Sequence, residues 1–147
     1  MDHFELTLPN QRPWTEEHLT VKVQTAGETS LTGPSRLQTA SLRLDSGVDH
    51  MLLKLRQPVV PHRGASWPLN FTLQGSVAKW LPRIEPLVGT NGWDLGGTCA
   101  VNASLTYSPT SVELAEAKVN IQHLHAWGHG LYIDEPTVEL TTSGHWD

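Results

Sequence analysis

The chain has 147 residues, one cysteine, eight histidines and six tryptophans, with 17% charged residues and a formal net charge of −5 when the histidines are neutral. That length suits one compact domain over residues 1–147, and the acid excess leaves no basic surface on which a phosphate backbone is neutralised, so no nucleic acid is expected as partner. With Cys99 alone there is neither an internal disulfide nor a thiolate cage for a metal, and no stretch reaches the roughly 18 consecutive apolar residues of a spanning helix.

From the start of the chain, apolar residues alternate with polar ones between Gly, Pro, Ser and Asn clusters, the mark of antiparallel strands with one buried face. Leu19, Val21 and Val23 alternate with Thr20, Lys22 and Gln24, and Ala26 to Thr29 then reads as a turn. Leu37, Ala40, Leu42 and Leu44 alternate with one extra residue at Gln38-Thr39, which predicts a β-bulge. Met51 to Leu55 and Leu69-Phe71-Leu73 are shorter strands, separated by a proline-containing loop from Gln57 to Pro68. Ser76 to Leu87 departs from the pattern: Val77, Trp80, Leu81, Ile84 and Leu87 recur at helical spacing behind a Ser76 cap, and Pro82 and Pro86 hold the helix to one or two turns. Such a helix is expected over the open end of a sheet, with Trp80 inserted.

Trp93 to Tyr107 alternates again, with Cys99, Val101, Ala103, Leu105 and Tyr107 on one side. Ser108-Pro109-Thr110 turns the chain, and Val112, Leu114, Ala117, Val119 and Ile121 follow, again with one extra residue after Leu114. Gly128 and Gly130 interrupt the next stretch. Leu131 to Ile133 and Val138 to Leu140 are the last strand candidates, split by Glu135-Pro136. The fold class is therefore mainly β: an antiparallel, twisted sheet, sandwich or half-pipe of about 8–10 strands with one short helix.

The two halves share the spacing Leu-x-x-Ala-x-apolar-x-apolar, at Leu37 to Leu44 and at Leu114 to Ile121, each copy behind a proline-containing turn. This suggests an internal repeat, 18–56 and 93–142, joined by a loop and the short helix. The run Gly75-Ser76-Val77-Ala78-Lys79-Trp80-Leu81, then Trp93-Asp94-Leu95-x-Gly97, Ala103-Ser104-Leu105 and the strand from Val112 to Ile121, resembles the AsmA-like group of bacterial envelope proteins, relatives of the translocation and assembly module. The resemblance covers chiefly residues 69–147. It implies a β-rich, non-enzymatic segment of a longer anchored protein, in the periplasm or cell envelope, whose apolar strand face forms part of a groove for lipid transport or outer-membrane assembly. Val101, Leu105, Leu114, Val119 and Ile121 face that groove on this reading, and lipid, neighbouring repeats of the same chain or an edge-strand homodimer supply the contacts. The ends, beginning near a strand-like run and stopping at Gly144-His145-Trp146-Asp147, read as those of an excised fragment.

No cofactor is expected and no catalytic constellation stands out: Ser104 and Ser111 lack the Gly-x-Ser-x-Gly context of a nucleophile elbow, Gly89 to Gly97 lacks the lysine of a phosphate loop, and Asp134-Glu135 and Glu113-x-x-Glu116 have strand-surface spacings. Two binding alternatives remain. His123 and His125 share one side of a regular strand and His129 follows a bend, which would give three imidazoles for zinc or copper. The dispersed tryptophans Trp14, Trp67, Trp80, Trp93, Trp127 and Trp146 would suit a carbohydrate- or protein-binding sandwich if two or three were exposed.

Overall fold

The computed structural model describes residues 3–6, 14–29, 33–80 and 92–147. Among them β1 (His3–Leu6) and β2 (Trp14–Glu17) pair as an antiparallel hairpin. The other seven strands form one antiparallel sheet in chain order: β3 (Leu19–Glu28), β4 (Arg36–Ser46), β5 (Asp49–Leu55), β6 (Trp67–Ser76), β7 (Trp93–Tyr107), β8 (Val112–Gly128) and β9 (Leu131–Trp146). The sheet is not closed into a barrel: among the described residues β3 and β9 each pair on one side only. The mainly β, antiparallel class expected from the alternation is the observed one.

Period-two alternation in each strand, combined with the register, sorts the side chains into rows. Val21, Leu44, Met51, Leu73, Val101, Val119 and Leu140 are successive cross-strand partners, and so are Val23, Leu42, Leu53, Phe71, Ala103, Ala117 and Thr142. Each row crosses all seven strands. One step along, on the opposite face, runs Thr20, Asp45, His50, Gln74, Ala100, Asn120 and Glu139. This polar face is laced by side-chain bonds: Arg43 Nε donates to Asp45 at 2.8 Å, His50 Nδ1 lies 2.7 Å from Asp45, and Asn120 Nδ2 donates to Glu139 at 3.1 Å. The Arg43 guanidinium holds the Asp45 carboxyl below the usual carboxylate range, with His50 adding to the effect.

Both expected bulges are present. Ala26 pairs with Thr39 and Gly27 with Leu37, so Gln38 is the extra residue; Leu105 pairs with Leu114 and Ser104 with Glu116, so Ala115 is. Each bulge restores the apolar phase so that Ala40 and Ala117 rejoin the inward side. The first bulge also corrects the turn expected at Ala26 to Thr29: by absorbing one residue it lets β3 keep pairing through Glu28. The division of the last segment at Glu135-Pro136 is corrected too. β9 runs unbroken from Leu131 to Trp146, because it is an outer strand and the ladder steps from Gln122↔Thr137 to Leu124↔Glu135 without requiring a bond at Pro136. The helix begins where expected, at residues 77–80, and residues 81–87 of the expected span lie outside the described residues.

Two local structures cover opposite ends of the apolar rows at β5 and β6. At the Leu55–Trp67 end, the loop between these strands folds back so that Val59 bonds the backbone of Leu37, and Leu55, Val59 and Ala65 bury against Leu37, Ala40, Trp67 and Leu69. At the Asp49–Ser76 end, the helical turn at 77–80 buries Val77. Asp49, 1% exposed, fastens that end: its Oδ1 accepts the Ser76 amide at 2.9 Å, and Lys79 Nζ stands 3.8 Å from its Oδ2. The carboxylate fits only because Gly75 has no side chain; a Cβ there would collide with Asp49 and lie 2.7 Å from Trp80 Nε1. Asp49→Ala is expected to cost about 1–3 kcal/mol by stranding the Ser76 amide, and Asp49→Asn less, since it keeps an acceptor. Urea unfolding at constant slope measures both, and equal losses would assign the stabilisation to the charge beside Lys79 instead of to the acceptor for Ser76.

Candidate functional site

The apolar face brings the predicted groove residues together. Val101 and Val119 are direct partners, Leu105 faces Leu114, and Ile121 sits between Cys99 and Val138. All five are half-buried. Toward the edges the same rows emerge into solvent, with Val21 50%, Val23 68% and Leu140 55% exposed, so the described residues supply no second layer there. Cys99 lies on this face opposite Gly75, and burial, with the negative charge of Asp49 adding to it, pushes its thiol above the ordinary value. The thiol is thereby kept neutral and poorly nucleophilic.

The three histidines of the suggested metal set occupy different surroundings. His123, with φ of 52°, lies in an irregular step of β8, where Thr98 pairs with Gln122 and Gly96 already pairs with His125. Gly97 occupies the facing position with φ of 114°, and a Cβ there would stand 2.7 Å from the carbonyl oxygens of Gln122 and His123, so this crossing requires glycine. The regular alternation that would put His123 beside His125 is thus broken between them. His125 Nδ1 is 3.0 Å from Asp134 Oδ1, and His129 meets the edge of Trp93 with ring centroids 5.8 Å apart. Among the described residues no three His, Cys, Asp or Glu side chains are grouped to hold a metal ion.

The far end of the sheet, where β7, β8 and β9 run together past this irregularity, carries a second cluster. Cross-strand register sets Asp94, Trp127 and Tyr132 in one row and Gly96, His125 and Asp134 in the next, all on the same face. The Trp127 and Tyr132 ring centroids are 6.1 Å apart, tilted at 54°. Tyr132 Oη donates to Asp134 Oδ2 at 3.2 Å, and the Asp134 charge, with this bond, holds the phenol above its usual range. Trp127 and Tyr132 are 60% and 59% exposed. Asp134 and Glu135, adjacent in sequence, point to opposite sides of β9, so they form no carboxylate pair.

Sequence reading named His125 and Trp127 without connecting them to Tyr132 and Asp134. The usable signal was the β8–β9 register: around the turn at His129-Gly130 the partners sum to one constant, which pairs 127 with 132 and 125 with 134.

The raised Cys99 thiol carries a pH dependence. Because the folded state holds the proton more tightly than the unfolded chain, this contribution is full below the ordinary thiol value of 9.0 and is lost as pH rises through the raised folded value. Stability of the native chain is therefore expected to fall more steeply above pH 9 than that of Cys99→Ala, measured by urea midpoints across pH 8–11; parallel slopes would contradict it. No protein-family model, curated protein or solved structure matches this chain.

Proposed function

We propose that this chain is a non-enzymatic β-segment of a longer envelope protein and that its apolar face holds acyl chains during lipid transport or outer-membrane assembly. The observation that carries the reading is the pair of apolar rows crossing seven strands while their outer members stay half or more exposed. A polar face behind and an apolar face in front is the arrangement of a sheet that covers one side with something other than water. An acyl chain suits it: each methylene laid on the rows contributes at most about 0.8 kcal/mol, reached only when it is fully covered, and no polar groove group has to be satisfied along its length. The loop at Val59–Ala65 and the helical turn at 77–80 give that face two ends. Anchoring and further β-repeats, continuing the sheet at β3 or β9, belong to parts of the protein outside this chain.

Solvent extraction of the purified chain followed by mass spectrometry is expected to recover acyl lipid, and the lipid-free chain to bind a fluorescent fatty acid. Val101→Thr with Val119→Thr, which preserves side-chain shape while adding two hydroxyls, is expected to weaken that probe roughly tenfold. Absence of extracted lipid together with a probe affinity unchanged in the double variant would overturn the reading.

A further inference from the structure

The six-residue grid at the far end of β7, β8 and β9 has a chemistry unlike that of the apolar rows. Two aromatic rings stand exposed side by side, which adds nothing to a core. Next to them Asp134 is held at both oxygens, by His125 on one and by Tyr132 on the other, so its orientation is fixed before any ligand arrives. Asp94 flanks Trp127 from the opposite side. Between Asp94 and His125 the position is Gly96, whose absent side chain leaves a level floor: a Cβ built there comes no nearer than 3.9 Å to any neighbour.

We propose that this grid is a saccharide-binding surface, on which a pyranose ring stacks over Trp127 and Tyr132 while its hydroxyls bond Asp94, Asp134 and His125. The rings supply what the carbon-bound hydrogens of one sugar face require, a flat π surface. The carboxylate, the phenol oxygen and the outer imidazole nitrogen supply what the equatorial hydroxyls require, since sugar hydroxyls donate to Asp134, to Tyr132 Oη and to His125 Nε2 while the Tyr132 proton and His125 Nδ1 stay engaged with Asp134. An acyl chain finds no match here, because it would desolvate Asp134 and His125 without replacing their bonds to water. A cation is attracted by the two carboxylates and the ring faces as well, and choline is the probe that tells it from a sugar. The site is separate from the apolar rows, so it stands or falls independently of the lipid reading.

Proton–nitrogen NMR separates the possibilities, because each tryptophan contributes its own indole resonance. Titration with the methyl glycosides of glucose, galactose and N-acetylglucosamine and with a chitin hexasaccharide, to about 50 mM in monosaccharide units, covers the affinity expected of a shallow surface site. The expected result is a saturable shift of the Trp127 indole and of the Tyr132 and Asp134 amides with at least one sugar, while the Trp67 indole stays in place. Trp127→Ala and Asp134→Asn, both at exposed positions, are each expected to weaken it roughly tenfold with the remaining spectrum unchanged. No localised shift with any of the four sugars overturns the proposal. A shift of the same resonances by choline chloride alone also overturns it, in favour of a cation site. Fatty-acid binding measured on the same variants is expected to be unaffected, so failure of one reading is not mistaken for failure of the other.

Discussion

A one-layer antiparallel sheet buries apolar surface only where something lies against it, and everything else in this molecule follows from how little does. The buried apolar residues among those described are Leu19, Leu55, Val59, Ala65, Val77, Ala117 and Ala126, mostly small and mostly near strand ends. The only fully buried side chain among them is a carboxylate, Asp49. Backbone ladders and the half-buried rows between strands therefore carry much of the cohesion, each row contact adding a modest increment. Where a core would normally fix the ends of the sheet, specific polar geometry does so instead, through Asp49 on the Ser76 amide over the vacancy at Gly75.

The alternation made most of this legible in advance. Strand β7 runs over the residues its pattern indicated, and both Leu-x-x-Ala spacings correspond to one-residue bulges, on β4 and on β8. The two departures share a cause: glycine and proline break strands by propensity, yet this sheet tolerates them. Gly27 sits inside a bulged ladder, and Pro136 lies on an outer strand at a step the ladder passes over. The hairpin-tip cluster was illegible for a different reason. It depends on a register between strands, and its members Asp94, Trp127 and Asp134 come from three of them.

The sheet carries two surfaces of opposed chemistry at different places. The long rows offer hydrocarbon contact without direction, and specificity for chain length or headgroup does not arise from them alone. The tip offers direction through Asp134 and its two partners but little area. One surface is suited to apolar contact without direction and the other to a particular polar group, and the break at Gly97 and His123 marks where one regime ends.

Strand order from β3 to β9 equals chain order, so every pairing in the large sheet joins neighbours in sequence. Closing such contacts costs little chain entropy compared with a Greek key or a parallel crossover, and a meander of this kind zips up hairpin by hairpin. At each stage the newest strand is the growing front, with its outer backbone groups ready for the next. In the finished sheet that front is β9, sixteen residues long, and Pro136, which has no amide to offer a further strand, interrupts its row of donors and blunts further growth.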